Sequence, residues 1–160
     1  MIEINKESEE KAFLHKILGR KRMILVTGGA GYIGSHTCIE LIEQGHEIVV
    51  VDNLINSAVE AISRIEEITG KSVAFIEGDV RDESVLCDIF NQFKIESVIH
   101  FAGLKSVGES NNYPLKYFDN NVSGILTLLK VMGVNGCKNL VFSSSATVYG
   151  SPSTLPVAET

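Results

Sequence analysis

The sequence predicts an α/β fold in which a parallel sheet is covered by helices on both faces. Short apolar runs rich in β-branched residues alternate with amphipathic segments of helical period, the pattern of consecutive βαβ units. The runs are nearly unbroken, as expected for strands that are buried on both sides. The chain has 160 residues, 44% of them hydrophobic, which is enough for one domain with a core. We therefore expect a doubly wound layer structure.

The apolar runs give the predicted strands, which span residues 24–27, 48–52, 73–76, 97–101 and 140–143. Two helices between them each place their apolar residues on one face: Gly34, Cys38, Leu41 and Ile42 in the first, and Leu86, Ile89, Phe90 and Phe93 in the second. A longer helix from about residue 114 to 132 carries an apolar stripe of Leu115, Phe118, Val122, Ile125, Leu126 and Leu129. This stripe fits either the core or an interface with another subunit.

Residues 1–22 differ from the rest of the chain and are interpreted as an appendage to a domain that spans residues 23–160. Their first half is acidic, their end is basic, and they carry a short apolar stripe of Phe13, Leu14, Ile17 and Leu18. A start codon assigned upstream of the natural one and a docked accessory helix both explain them.

Charge and cysteine usage limit the possible functions. A formal net charge of −6 disfavours binding to nucleic acid or to an anionic membrane surface. Cys38, Cys87 and Cys137 are odd in number and widely spaced, which fits reduced core thiols better than disulfides or a metal site. No apolar run is long enough to span a bilayer. We expect a cytoplasmic protein without a bound metal.

The segment TGGAGYIG follows the first predicted strand and opens the first helix. Gly28, Gly31 and Gly34 allow a tight turn, close approach of a pyrophosphate and close packing of helix on strand. Asp52, at the end of the second strand, supplies a carboxylate for a ribose, and Asn53 stands where NADP-binding proteins often have an arginine. The pattern predicts a Rossmann-type site for NAD rather than NADP, and a glycine-rich turn without a ligand is the simpler alternative.

Five stretches carry a resemblance to a known family: TGGAGYIGSHT, DNL followed by Asn56-Ser57, HFAGLKSVGES, YFDNNVSG and FSSSATVYG. Together they resemble the extended short-chain dehydrogenase/reductase family, and within it the UDP-glucose 4-epimerases, from Met23 to the end of the chain. Nucleotide-sugar 4,6-dehydratases share the glycine loop but differ after the fourth and fifth strands.

The resemblance implies a role for each matching residue. Tyr32 and Ile33 lie under the pyrophosphate, and Ser145 contacts the sugar hydroxyl at the reacting carbon. Asp79 and Val80 are expected at the adenine, although Asp79 also fits an ordinary strand-to-helix turn capped by Asp82. The other implied NAD contacts are Asp52, Asn53, Asn56 and Ser57 around the adenosine ribose, and Phe101, Ala102, Gly103, Lys105 and Asn120 further along. His36 and His46 are interpreted as bystanders, and His100 as a hydrogen-bonded core residue rather than a proton shuttle.

In such epimerases a tyrosine phenolate deprotonates the sugar 4-hydroxyl while C4 delivers hydride to NAD, and the hydride returns to the other face of a 4-keto intermediate. The tyrosine is paired with a lysine four residues later, and none of the tyrosines in this sequence has that partner. We therefore expect the N-terminal, NAD-binding part of an enzyme that acts on UDP-glucose and UDP-galactose, without the substrate domain and inactive alone.

The resemblance further implies a homodimer, because members of the family are commonly dimeric. A stand-alone NAD-binding module and a related nucleotide-sugar dehydratase or epimerase are the alternatives.

Overall fold

The computed structural model describes residues 22–151 and 156–157, and it contains a parallel sheet in the order β3-β2-β1-β4-β5. Its strands are β1 (Arg22–Thr27), β2 (Glu47–Asp52), β3 (Ala74–Glu77), β4 (Lys94–His100) and β5 (Asn139–Phe142). This order confirms the predicted Rossmann-type α/β class. Residues 1–21, most of the expected appendage, lie outside the described residues, and Arg22 is the first residue of β1.

The helices that connect the strands are α1 (Tyr32–Glu43), α2 (Glu60–Thr69), α3 (Glu83–Gln92), α4 (Val107–Asn112), α5 (Pro114–Phe118) and α6 (Gly124–Val134). A five-residue π-helical segment, Asp119–Ser123, joins α5 to α6, and a short 3₁₀ turn, Ala146–Tyr149, follows β5. No helix in the described ranges is both long and apolar enough to cross a membrane.

Side chains of successive strand residues alternate between two core layers. One layer contains Leu25, Val49 and Val98 together with residues of α3 and α6, and the other contains Val26 and Val50 together with residues of α1 and α2. Burying a large aliphatic side chain contributes about 1.5–3 kcal/mol, so helices on both faces are needed to cover these strands. The predicted inward faces of α1 and α3 are confirmed: Cys38 and Ile42 are buried, as are Leu86 and Ile89.

Some predicted strand ends were wrong by one to three residues. Val73 precedes β3 because its N–H donates to the Glu66 side chain rather than to the neighbouring strand. Phe101 and Ser143 each follow a strand, although their N–H groups still donate to Thr27 and His100. β4 begins earlier than predicted, at Lys94, because Lys94 pairs with Arg22 in the register of β1 and β4.

The predicted long helix is present as α5, the π-helical segment and α6, but most of its stripe faces away from the core. Leu115, Phe118, Val122, Leu126 and Leu129 are exposed. The core side is instead formed by Gly124, Leu128, Val131 and Met132, which are buried. The helix therefore has two apolar faces, and the predicted stripe is the outer one.

Candidate functional site

The carboxyl ends of β1, β2 and β4 line a cleft that is open to solvent. β1 lies between β2 and β4: the chain runs from β1 outward to β2 and β3, and then crosses to β4 on the other side of β1. Ligands of open α/β sheets bind at such switch points.

The glycine loop brings β1, α1 and the loop after β4 into close contact. Gly28 has a φ of +71°, and a Cβ there would lie 2.6 Å from the backbone nitrogen of Ala102. A Cβ on Gly34 would lie 2.2 Å from the carbonyl oxygen of Gly28. Both positions therefore require glycine, as the predicted role in tight packing demands.

The N-terminus of α1 opens toward the cleft, since its N-cap residue Gly31 lines the cleft wall. No side chain of the described residues caps this end, and its first turn carries no acidic residue. Free N–H groups and the helix dipole make such an end a favourable place for an anion.

Asp52 ends β2, and its carboxylate lies beside the glycine loop. One oxygen, Oδ2, accepts from the Ala30 N–H at 3.0 Å, and Oδ1 accepts from the Leu54 N–H and the Ser57 hydroxyl at 3.0 and 2.9 Å. Asp52 is 9% exposed, so these bonds compensate its burial. They also fix its orientation beside the glycine loop.

A second carboxylate, Asp79, follows β3. Its oxygens accept from the backbone and guanidinium of Arg81 and from the amide of Asn53. The hydrogen bonds from Arg81 are the main reason why the pKa of Asp79 lies well below its usual range. Arg81 also pairs with Asp119 in the π-helical segment. Arg81 was not predicted as a site residue, although it stands only two residues after Asp79 in the sequence.

The π-helical segment supplies two asparagines. Asn120 is buried, lines the cleft and donates to Asn121 Oδ1 at 2.9 Å. Asn121 accepts from the Leu104 N–H at 2.8 Å and donates to the Leu104 carbonyl at 3.0 Å. It thereby fixes the loop that contains Gly103. Asn121 was missed because a sequence does not show that this segment is π-helical.

His100 ends β4 beneath the cleft. Its Nδ1 shares a hydrogen bond of 2.7 Å with the Thr27 hydroxyl, and its ring stacks on Phe142 at 5.6 Å. Burial lowers the pKa of His100 to about 4, and the positive charge of Lys105 adds to the shift. It is therefore a neutral, hydrogen-bonded residue of the sheet, in agreement with the interpretation of its position in the sequence.

Most of the sequence-predicted cofactor residues line the cleft: Gly28, Gly31, Asp52, Asn53, Asn56, Ser57, Val80, Phe101, Ala102, Gly103 and Asn120. Tyr32, Ile33 and Lys105 are exposed at its margin, whereas Gly34 is buried beneath the loop. Asp79 stands between the lining residues Gly78 and Val80. Ser145 lies apart, exposed at the 3₁₀ turn, where its Oγ accepts from the Thr147 hydroxyl at 2.9 Å. Its contact with substrate stays a prediction.

A family model described as the NAD dependent epimerase/dehydratase family matches residues 24–160. This chain belongs to that family. The match covers all five strands apart from the first two residues of β1, and it includes all the residues that line the cleft.

The family member from Dictyostelium discoideum, a UDP-glucose 4-epimerase, is 62% identical over 136 residues, and that from Bacillus subtilis is 58% identical over 136 residues. Each match covers 85% of this chain and 40% of the relative. The crystal structure of UDP-glucose 4-epimerase from Bifidobacterium longum in complex with NAD⁺ and UDP superposes with a TM-score of 0.83 at 52% identity, covering 86% of this chain and 41% of that one. The chain is thus homologous to UDP-glucose 4-epimerases and spans about 40% of the length of these relatives.

Proposed function

We propose that this chain binds NAD as the dinucleotide-binding portion of a UDP-glucose 4-epimerase. The observation that carries the proposal is the meeting, at one cleft, of an uncapped helix N-terminus with the ordered carboxylate of Asp52 beside it. A dinucleotide needs both groups, because its pyrophosphate is an anion and its ribose hydroxyls are donors. The residues present fit that ligand, the chain belongs to the NAD dependent epimerase/dehydratase family, and its homologues include UDP-glucose 4-epimerases.

Each of these groups has a separate task in this proposal. The first turn of α1 holds the pyrophosphate, and Asp52 and Ser57 hold the adenosine ribose. The negative charge of Asp52 excludes the 2′-phosphate of NADP. Asp79 and Val80 contact the adenine, and the loop 101–105 with Asn120 faces the nicotinamide side. NAD supplies reversible hydride transfer when bound.

The substrates belong to the proposal as well. We infer that the longer protein interconverts UDP-glucose and UDP-galactose through a 4-keto sugar. The 160 residues contain no tyrosine with a lysine four residues later, so we expect no epimerase turnover from this chain alone. Turnover above a blank would contradict that part of the proposal.

Calorimetric titration of the purified chain with NAD and with NADP tests the binding. We expect NAD to bind more tightly than NADP by about tenfold or more, since one hydrogen bond to a charged group is worth about 1.5–3 kcal/mol. Asp52→Asn should remove most of that preference. Asp88→Asn makes the same chemical change at an exposed site on α3 and is the matched control. A folded chain without affinity for NAD would contradict the proposal.

We also propose that the outer stripe of α5 and α6 packs against a second copy of the chain. Leu115, Phe118, Val122, Leu126 and Leu129 are between 44% and 82% exposed. Contiguous exposed apolar surface of this kind is typical of an interaction site. A homodimer, the commonest symmetric assembly, would bury the stripe against itself.

A reducing, cytoplasmic location is the last element of the proposal. Cys38, Cys87 and Cys137 are free thiols. Burial raises the pKa of Cys38 to about 12, and it raises the pKa of Cys137 as well. Buried thiols of this kind are unreactive and fit a compartment in which disulfides are rare.

A further inference from the structure

The carboxylate of Asp79 has more donors around it than an adenine contact requires. Oδ1 accepts from the Arg81 backbone N–H and from Arg81 Nε, both at 2.9 Å. Oδ2 accepts from Arg81 Nη2 at 2.7 Å and from Asn53 Nδ2 at 2.9 Å. A carboxylate has about four lone-pair sites, so all of them are occupied.

An adenine amino group can reach Asp79 only by replacing one of these donors. The guanidinium contacts are charge-assisted and two-pronged, whereas the Asn53 amide is neutral and single, so the Asn53 contact is the weaker one. Asn53 lines the cleft, and its departure would open Oδ2 toward the ligand. The bonds from Arg81 would remain and hold the carboxylate plane in place.

Arg81 is itself anchored to the π-helical segment. Its Nη1 donates to Asp119, which immediately precedes the cleft residue Asn120. The start of α6 also lies close to this loop: a Cβ on Gly124 would be 2.9 Å from Val80 Cγ2 and 3.7 Å from Arg81 Cγ. The loop after β3 and the helix are therefore held together at Arg81.

We propose that Arg81 is a positioning residue that makes this cleft selective for adenine by fixing the orientation of Asp79. Arg81 donates to Asp79 through both Nε and Nη2, a two-pronged contact called the fork below. With the carboxylate held in this way, Oδ2 can accept from the base at one angle only. This favours a base that has a hydrogen-bond donor facing Oδ2. The inference rests on the proposed binding of NAD. Arg81 need not touch the dinucleotide to have this effect.

The test compares NAD with nicotinamide hypoxanthine dinucleotide, in which the adenine amino group is replaced by an oxygen that cannot donate. In Arg81→Met we expect affinity for NAD to fall about tenfold and affinity for the hypoxanthine analogue to change less than about threefold, so that base preference is lost. Arg81→Lys keeps the charge but cannot form the fork, and it should lose most of the preference too. Lys130→Met removes an equal charge from an exposed ion pair with Glu83 and should leave both affinities unchanged.

The outcomes separate the two proposals. If the affinities for NAD and for the hypoxanthine analogue fell equally in Arg81→Met and Arg81→Lys, Arg81 would have only a structural role, and the inference would be overturned. Retained base preference in either variant would also overturn it. Failure of the unmodified chain to bind NAD would instead contradict the proposed function. Because Arg81→Lys preserves charge and most of the side-chain volume, it remains informative if Arg81→Met does not fold.

Discussion

At the scale of single residues, His100 shows how a titratable group is kept neutral in this sheet. The ring is 3% exposed, bonded to Thr27 and stacked on Phe142. Lys105 faces it from the loop after β4, and its charge opposes protonation. A charged imidazole here would lose water without gaining a counter-ion.

This environment predicts a pH dependence of stability. The folded pKa of His100 is about 4, below its ordinary value of 6.5, so between these pH values the unfolded chain binds more protons than the folded one. The free energy of unfolding should therefore fall as pH falls from 6.5 to 4, by up to about 3 kcal/mol. Urea unfolding across this range measures the slope.

His100→Asn keeps a polar partner for Thr27 but cannot titrate, and its stability should vary less over the same range. His46→Asn, at an exposed position, is the control and should keep the slope of the unmodified chain. Identical slopes for His100→Asn and the unmodified chain would contradict the assignment. The lowered pKa of Asp79 acts in a separate window: its stabilising effect is present above the ordinary carboxyl pKa and is lost only at lower pH.

At the scale of elements, the parts predicted from sequence were those specified by local pattern. Gly28 and Gly34 identified the turn between β1 and α1 because only their spacing is needed to predict it. The helix from Pro114 to Val134 was harder, since periodicity finds an apolar stripe but not the surface it faces. Leu126 and Leu128 are both apolar and two residues apart, yet Leu126 is exposed and Leu128 is buried. The sequence also does not predict the π-helical segment, Asp119–Ser123, that lies between α5 and α6.

That segment gives rise to a prediction about Asn121. Asn121→Leu has similar volume but leaves the N–H and C=O of buried Leu104 without their partner. We expect the free energy of unfolding to fall by about 2–6 kcal/mol, because each of the two orphaned buried groups costs about 1–3 kcal/mol. Affinity for NAD should fall as well, since the loop 101–105 loses its anchor. Thermal unfolding and NAD titration measure the two effects.

Asn135→Leu is the matched control for that experiment. Its side chain donates to the Val131 carbonyl at the end of α6, and it does not line the cleft formed by the described residues. It should lower stability slightly and leave NAD affinity unchanged. An equal loss of NAD affinity in both variants would mean that Asn121 has no special connection to the site.

At the scale of the whole molecule, the site depends on contacts between distant parts of the chain. Asp52 bonds to Ala30, and Arg81 to Asp119, which is 38 residues away. A single sequence predicts which residues follow each strand, and the parallel sheet then brings them to one edge. The sequence does not show which of these residues bond to each other. The contacts of Arg81 with Asp79 and of Asn121 with Leu104 were therefore found only in the structure.

Assembly is the remaining property of the whole molecule, and it depends on the outer stripe. From Leu115 to Leu129 the stripe extends about 20 Å along the helix axis, which is long enough for a helix pair. In a two-fold dimer the stripe of one subunit packs against the stripe of the other, so one substitution changes the interface at two symmetric places. Leu126→Glu should therefore convert dimers to monomers in sedimentation velocity. Val134→Glu, an exposed position off the stripe, should leave the dimer intact. A monomeric unmodified chain at all protein concentrations would contradict the proposed dimer.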